Sequence, residues 1–220
     1  TFVVAFQNKP VIPLNLTLII QGALVAGTIA TIAFKSGAWA LIFGLHLLCF
    51  FFTALMCHQL LAARRPAPDR LTEFYLLMSL GGVVGGAFTA LLAPVVFSVV
   101  WEYPIVLVLV GLVRPWGNSE PLSKSQVGLF LGGLACAAAP PLLLEIMRYD
   151  PEFRALFGDQ MMIQGAQIIL GGGAICAFLL RDRAPLLVIV LAAMAISGLH
   201  IARGYDWALS ERSFFGVMRV

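Results

Sequence analysis

The sequence predicts an all-α fold: a polytopic integral membrane helical bundle of six or seven transmembrane helices. Two observations carry this. Of the 220 residues, 60% are hydrophobic and only 11% charged, with a mean hydropathy of +0.95. The surface of a soluble domain of this size demands more polar residues than that. Apolar runs of the length needed to cross about 30 Å of hydrocarbon, about 20 residues, also recur along the chain. The net charge of +3 is small and dispersed, which excludes a nucleic-acid footprint and fits the usual excess of Lys and Arg in cytoplasmic loops.

The elements follow in order. "TFVVAF" (1–6) is an apolar run that meets "QNKP" and reads as the tail of an earlier membrane helix. Spans are expected at 14–34, closed by "KSG"; at 39–61, closed by "AARRPAPDR"; and at 71–97. The apolar core of "WEYPIVLVLVGLVRP", residues 105–113, would be only about 14 Å long as a helix. Three further spans are expected at 127–147, 161–180 and 185–201, with "RYDPEFRALFGDQ" as a short amphipathic surface helix between the first two.

Whether 105–113 crosses decides the parity of the two chain ends. If it crosses, Lys9, Arg64, Arg65, Arg70, Arg114, Lys124, Arg181 and Arg183 share one side, with the C-terminus on the other. If it does not, Lys9, Arg64, Arg65, Arg70, Arg148, Arg154, Arg203, Arg212 and Arg219 share a side with both ends. The positive-inside rule accepts either and makes the 64–70 loop cytoplasmic in both. Glu102 and Pro104 argue against a deep straight helix, since a mid-bilayer carboxylate is costly and proline removes a helix hydrogen bond.

Candidate functional residues are few. Gly81, Gly82, Gly85 and Gly86 in "SLGGVVGGAF" share one helix face and suit close helix packing. "GLFLGG" and Gly171–Gly173 read the same way, more weakly. His46 lies deep in the second span and needs a polar partner; a cofactor ligand is the weaker reading and another helix the simpler one. His58 reads as interfacial, and His200 as a cation suited to the end of the last helix. Glu145 follows Pro140 and Pro141, which should kink their helix. A carboxylate beside a kink can mark a proton path; Arg148, one turn on, offers a simpler ion pair. Gln21, Gln164 and Gln167 suit interhelical hydrogen bonds. Cys49, Cys57, Cys136 and Cys176 sit in apolar runs, without disulfide or zinc spacing. No catalytic constellation, metal spacing or phosphate loop is legible, so no cofactor is implied.

"RPAP" at 65–68, "LTEFYL" at 71–76, "SLGGVVGG" at 79–86, "LLAP" at 91–94 and "EYP" at 102–104, together with His58, resemble the membrane region of bacterial fused proteins. In these, a transporter-like helical region is joined to a spermidine-synthase-like domain. The closing "ERSFFGVMRV" resembles the first strand of that domain, and 1–6 the end of an earlier helix. The resemblance implies a transmembrane domain over 1–209 and, from 210–220, the start of a soluble domain or a surface tail. It also implies a bacterial inner-membrane location and an anchoring role for a cytoplasmic aminopropyltransferase-like domain. The catalytic positions of that domain are absent from this sequence. A cytoplasmic C-terminal domain favours the arrangement in which 105–113 does not cross. The expected partners are the lipid bilayer, the fused soluble domain and other membrane subunits. The alternatives are an accessory subunit of a respiratory or photosynthetic membrane complex, and a transporter-like half for a small amine or metabolite.

Overall fold

The computed structural model of the chain describes residues 1–7, 11–33, 39–116, 120–203, 210–213 and 216–219. A one-turn helix α1 (Phe2–Ala5) leads into α2 (Leu14–Thr31) and α3 (Trp39–Ala63). A 3-10 turn at Pro68–Arg70, α4 (Leu71–Ala87), a π turn (Phe88–Leu92) and α5 (Ala93–Val96) form one 29-residue apolar rod, Pro68–Val96. Then come α6 (Glu102–Val113), α7 (Lys124–Tyr149), α8 (Pro151–Phe157), α9 (Asp159–Leu179) and α10 (Ala184–Arg203). The chain is an all-α bundle with a small antiparallel hairpin, β1 (Ser210–Ser213) and β2 (Gly216–Arg219), at its end. Six helices are long and apolar enough to cross a membrane by length and composition, and α6 is a shorter apolar helix.

Local chemistry explains several boundaries. Ser123 caps α7 in a reciprocal capping box with Gln126, at 3.2 and 3.1 Å. Pro94 lacks the N–H that an α-helix would donate back to residue 90, and the wider π turn lies just before it. Where α gives way to π, the Thr89 hydroxyl donates to the carbonyls of Gly85 and Gly86 at 3.1 and 3.2 Å. Pro140 and Pro141 lie inside α7, which continues through them to Tyr149.

Helix α10 is the centre of the bundle. It packs on α2, α6, α7 and α9, and half of its apolar window is buried, against 6% of Pro68–Val96. Lipid tails are as apolar as leucine, so association here depends on close van der Waals fit and polar contacts. The fit is tightest at two glycines. A Cβ added to Gly111 would lie 2.5 Å from Val188 Cγ2, and one added to Gly133 would lie 2.8 Å from Val190 Cγ1. Val25, Ile29, Leu107, Leu187, Leu191 and Met194 fill the space between these seams.

The contacts also fix which helix ends lie together. Arg114, just past α6, reaches the Leu18 carbonyl near the start of α2 and the Arg181 carbonyl before α10. Arg183 reaches the Glu120 carbonyl just before α7. Gln59, near the end of α3, donates to the Ile12 carbonyl at 2.7 Å. At the other end of the bundle, Gly198 of α10 lies against Ala33 after α2, and Glu145 of α7 faces His200 of α10. Helix α6 therefore runs antiparallel to α10 and joins the two ends, although its 12 residues span only about 18 Å. The main chain thus passes seven times between the two ends of the bundle, six of them in helices long and apolar enough to cross a membrane and one in the shorter α6. Pro104 does not oppose this, because it sits in the first turn of α6, where backbone N–H groups have no intrahelical partner anyway.

Candidate functional site

The polar chemistry of the described residues gathers at four places. The most complete lies at the hairpin end. Arg212 of β1 makes a two-pronged ion pair with Glu102, at 2.8 Å to Oε2 and 2.5 Å to Oε1, and donates to the Val99 carbonyl at 2.9 Å. Both side chains are nearly sealed, at 10% and 12% exposed. The parallel fork of a guanidinium matches a carboxylate in both geometry and charge. Bonding to Glu102 raises the Arg212 pKa further above its ordinary value. The carboxylate that argued against membrane insertion is thus neutralised by a residue 110 positions away. Where "ERSFFGVMRV" resembles a single strand, the structure has two: Gly216–Arg219 pairs antiparallel with Ser210–Ser213, Arg212 opposite Val217. Phe214, Phe215 and Val220 lie outside the described residues, as does the membrane-surface placement considered for the two phenylalanines.

At the opposite end Arg114 is buried, 3% exposed. It donates to the Leu18 carbonyl at 3.0 Å, the Arg181 carbonyl at 3.3 Å and Gln21 Oε1. One side chain therefore ties α2, the end of α6 and the α9–α10 turn. Burial lowers its pKa, partly offset by the Asp182 charge. Gln21 makes the interhelical bond expected of it; no such bond is seen for Gln164 or Gln167 among the described residues.

Glu145 and Arg148 come together as an i,i+3 pair at 3.5 Å, and His200 Nε2 lies 3.4 Å from the same Glu145 oxygen. Glu145 and His200 rim a groove of about 630 Å³ between α7 and α10, lined mainly by Leu134, Ala137, Ala138, Pro141, Leu142 and Ile196, and Arg148 lies just beyond it, paired with Glu145. The sequence reading placed His200 at a helix end and missed this partner across the helices. A shared level near the ends of two parallel helices was the available signal.

His46 Nδ1 hydrogen-bonds the Tyr103 hydroxyl at 2.5 Å, so its polar partner is on another helix, α6. His58 lies beside Thr1 and Phe2, with 3.1 Å between its Nδ1 and Thr1 Oγ1. Gly81, Gly82, Gly85 and Gly86 share an exposed face, and a Cβ added at any of them meets nothing within 4 Å. Any helix that they receive is not among the described residues. The tightest close-approach glycines are instead Gly111, which sequence reasoning passed over, and Gly133, which it read only weakly. Among the described residues no group of three metal-ligating side chains converges.

Comparison with known proteins finds no matching family model, no matching curated protein and no matching solved structure.

Proposed function

We propose that this multi-pass membrane protein is an anchoring domain that holds a C-terminal segment against one face of the bilayer. The observation that carries the reading is the Arg212–Glu102 fork, which with the bond to Val99 fastens the hairpin to the start of α6 and the loop before it. A free tail would have no use for two nearly sealed charges, each of which is expensive to desolvate alone. The resemblance of 65–104 to the membrane region of spermidine-synthase-like fusions supports the same role and a bacterial inner membrane as its setting. The transporter-like reading gains less support. Glu145 stands at the rim of an apolar groove and is engaged by Arg148 and His200.

The seven-traverse path puts the hairpin and the 64–70 loop at opposite ends of the bundle. In this reading the anchored segment lies on the face opposite that loop, whereas the fused domain that the resemblance implies would lie on the loop's own side. Trypsin tests the fastening, because it cleaves after arginine only when the side chain is free to enter its pocket. In the full chain the Arg212–Ser213 bond is expected to resist cleavage. Glu102→Gln, which keeps the shape and removes the charge, is expected to speed cleavage there roughly tenfold, the scale set by loss of a charge-assisted hydrogen bond. Equal cleavage of both proteins would remove the support for a fastened hairpin.

A further inference from the structure

We propose that the groove between α7 and α10 is a binding site for one zwitterionic, amine-bearing phospholipid from the leaflet on the hairpin side. The groove is apolar along its length and charged only at its mouth, which is the pattern of a lipid. Its lining runs along α7 from Leu134 to Glu145. Those eleven steps of a helix cover about 16 Å, close to the half-thickness of the hydrocarbon core. The small side chains of Ala137, Ala138 and Ala193 make the furrow, while Leu142 and Ile196 stand exposed on either side of it.

Depth orders the chemistry. Glu145, Arg148 and His200 lie within one turn of the ends of α7 and α10, at headgroup level. Ser197 lies one turn deeper than His200, about 4.5 Å, where the glycerol esters of a lipid would sit. Ser197 is 3% exposed, lines the groove, and its hydroxyl has no hydrogen-bond partner. A buried hydroxyl without a partner is costly, and a turn of the Ser197 side chain toward the groove would let an ester carbonyl accept from it.

The mouth matches a zwitterion rather than an anion. Arg148 and His200 present donors for a phosphate, and Glu145 presents an acceptor for an ammonium. Both contacts to Glu145 use Oε1, which leaves Oε2 without a partner among the described residues. The contacts are long, at 3.5 and 3.4 Å, and the side chains of Arg148 and His200 are 56% and 53% exposed. The trio is therefore loosely held and free to close on a headgroup. A primary ammonium donates hydrogen bonds to Glu145. A quaternary amine cannot, and a glycerol headgroup offers Glu145 no positive charge.

The test is native mass spectrometry of the full chain in detergent, with ethanolamine, choline and glycerol phospholipids of matched acyl chains. One ethanolamine lipid is expected to be retained in preference to the other two. Retention should weaken about tenfold in Arg148→Gln, from loss of a charge-assisted hydrogen bond. It should also weaken in Ala138→Phe, which fills the furrow from an exposed position, with the lipid-free melting temperature of both variants unchanged. Free glycerophosphoethanolamine should not displace the lipid. Equal retention of all three lipids, or retention unaffected by both variants, would overturn the proposal. So would displacement by the free headgroup, which would make this a soluble phosphate site, or a co-purifying helix that fills the groove in place of lipid.

Discussion

Arg114 shows what holds single residues in this bundle. No carboxylate lies within ion-pair distance of it among the described residues; backbone carbonyls and Gln21 solvate the buried charge instead. Its place past the last turn of α6 adds the favourable field of that helix's negative end. Arg114→Met removes the cation and strands Gln21 Oε1, which costs about 1–3 kcal/mol. The expected result is a fall of roughly 3–10 °C in the melting temperature of the detergent-solubilised protein. Arg114→Met combined with Gln21→Leu should recover part of the loss, because both sides of the bond are then apolar. A double variant at least as unstable as Arg114→Met alone would show that the Gln21 bond is not the source of the cost. The sequence named Gln21 as a hydrogen-bonding residue but not its partner. Separations of 93 residues for Gln21–Arg114 and 110 for Glu102–Arg212 leave no local trace.

At the scale of elements, periodicity and length were informative. The spans expected at 39–61, 71–97, 127–147, 161–180 and 185–201 match α3, the Pro68–Val96 rod, α7, α9 and α10 to within a few residues. The surface helix expected in "RYDPEFRALFGDQ" is α8. Which face of each helix packs was not legible, because these helices are apolar all round and carry no amphipathic stripe to read. The glycines make the point. A face-sharing pattern singled out 81, 82, 85 and 86, whereas the steric need is at Gly111 and Gly133. Gly111→Ala forces a methyl against Val188 Cγ2 and is expected to destabilise by about 1–3 kcal/mol. Val188→Ala in the same chain should restore much of that loss. Gly82→Ala meets no neighbour and should be neutral or stabilise by up to about 1 kcal/mol, since alanine loses less backbone entropy in a helix. Thermal unfolding of the three proteins decides between these outcomes. A Gly82→Ala protein as unstable as Gly111→Ala would show that another surface closes on the α4 face.

For the whole molecule, the path of the chain depends on α6, the element that composition left open. Its core is half the length of a normal span, and Glu102 and Pro104 both argued against insertion. Within the bundle both groups are accommodated. Glu102 is paired with Arg212 near the hairpin end, and Pro104 occupies a first-turn position that needs no N–H. At the other end Arg114 ties α6 to α2 and to the α9–α10 turn. Single-cysteine labelling in a protein with its four native cysteines replaced tests the path. Ala67→Cys and Glu120→Cys are exposed at the Arg114 end, and Tyr149→Cys, at an 81% exposed position, at the other. With seven traverses, a membrane-impermeant thiol reagent added to one side of sealed vesicles should label positions 67 and 120 together and spare 149. If α6 turned back without crossing, 120 would exchange sides with 149, so that 67 and 149 would label together and 120 would be spared. That second pattern would place the hairpin on the same face as the 64–70 loop and restore the route to a cytoplasmic C-terminal domain.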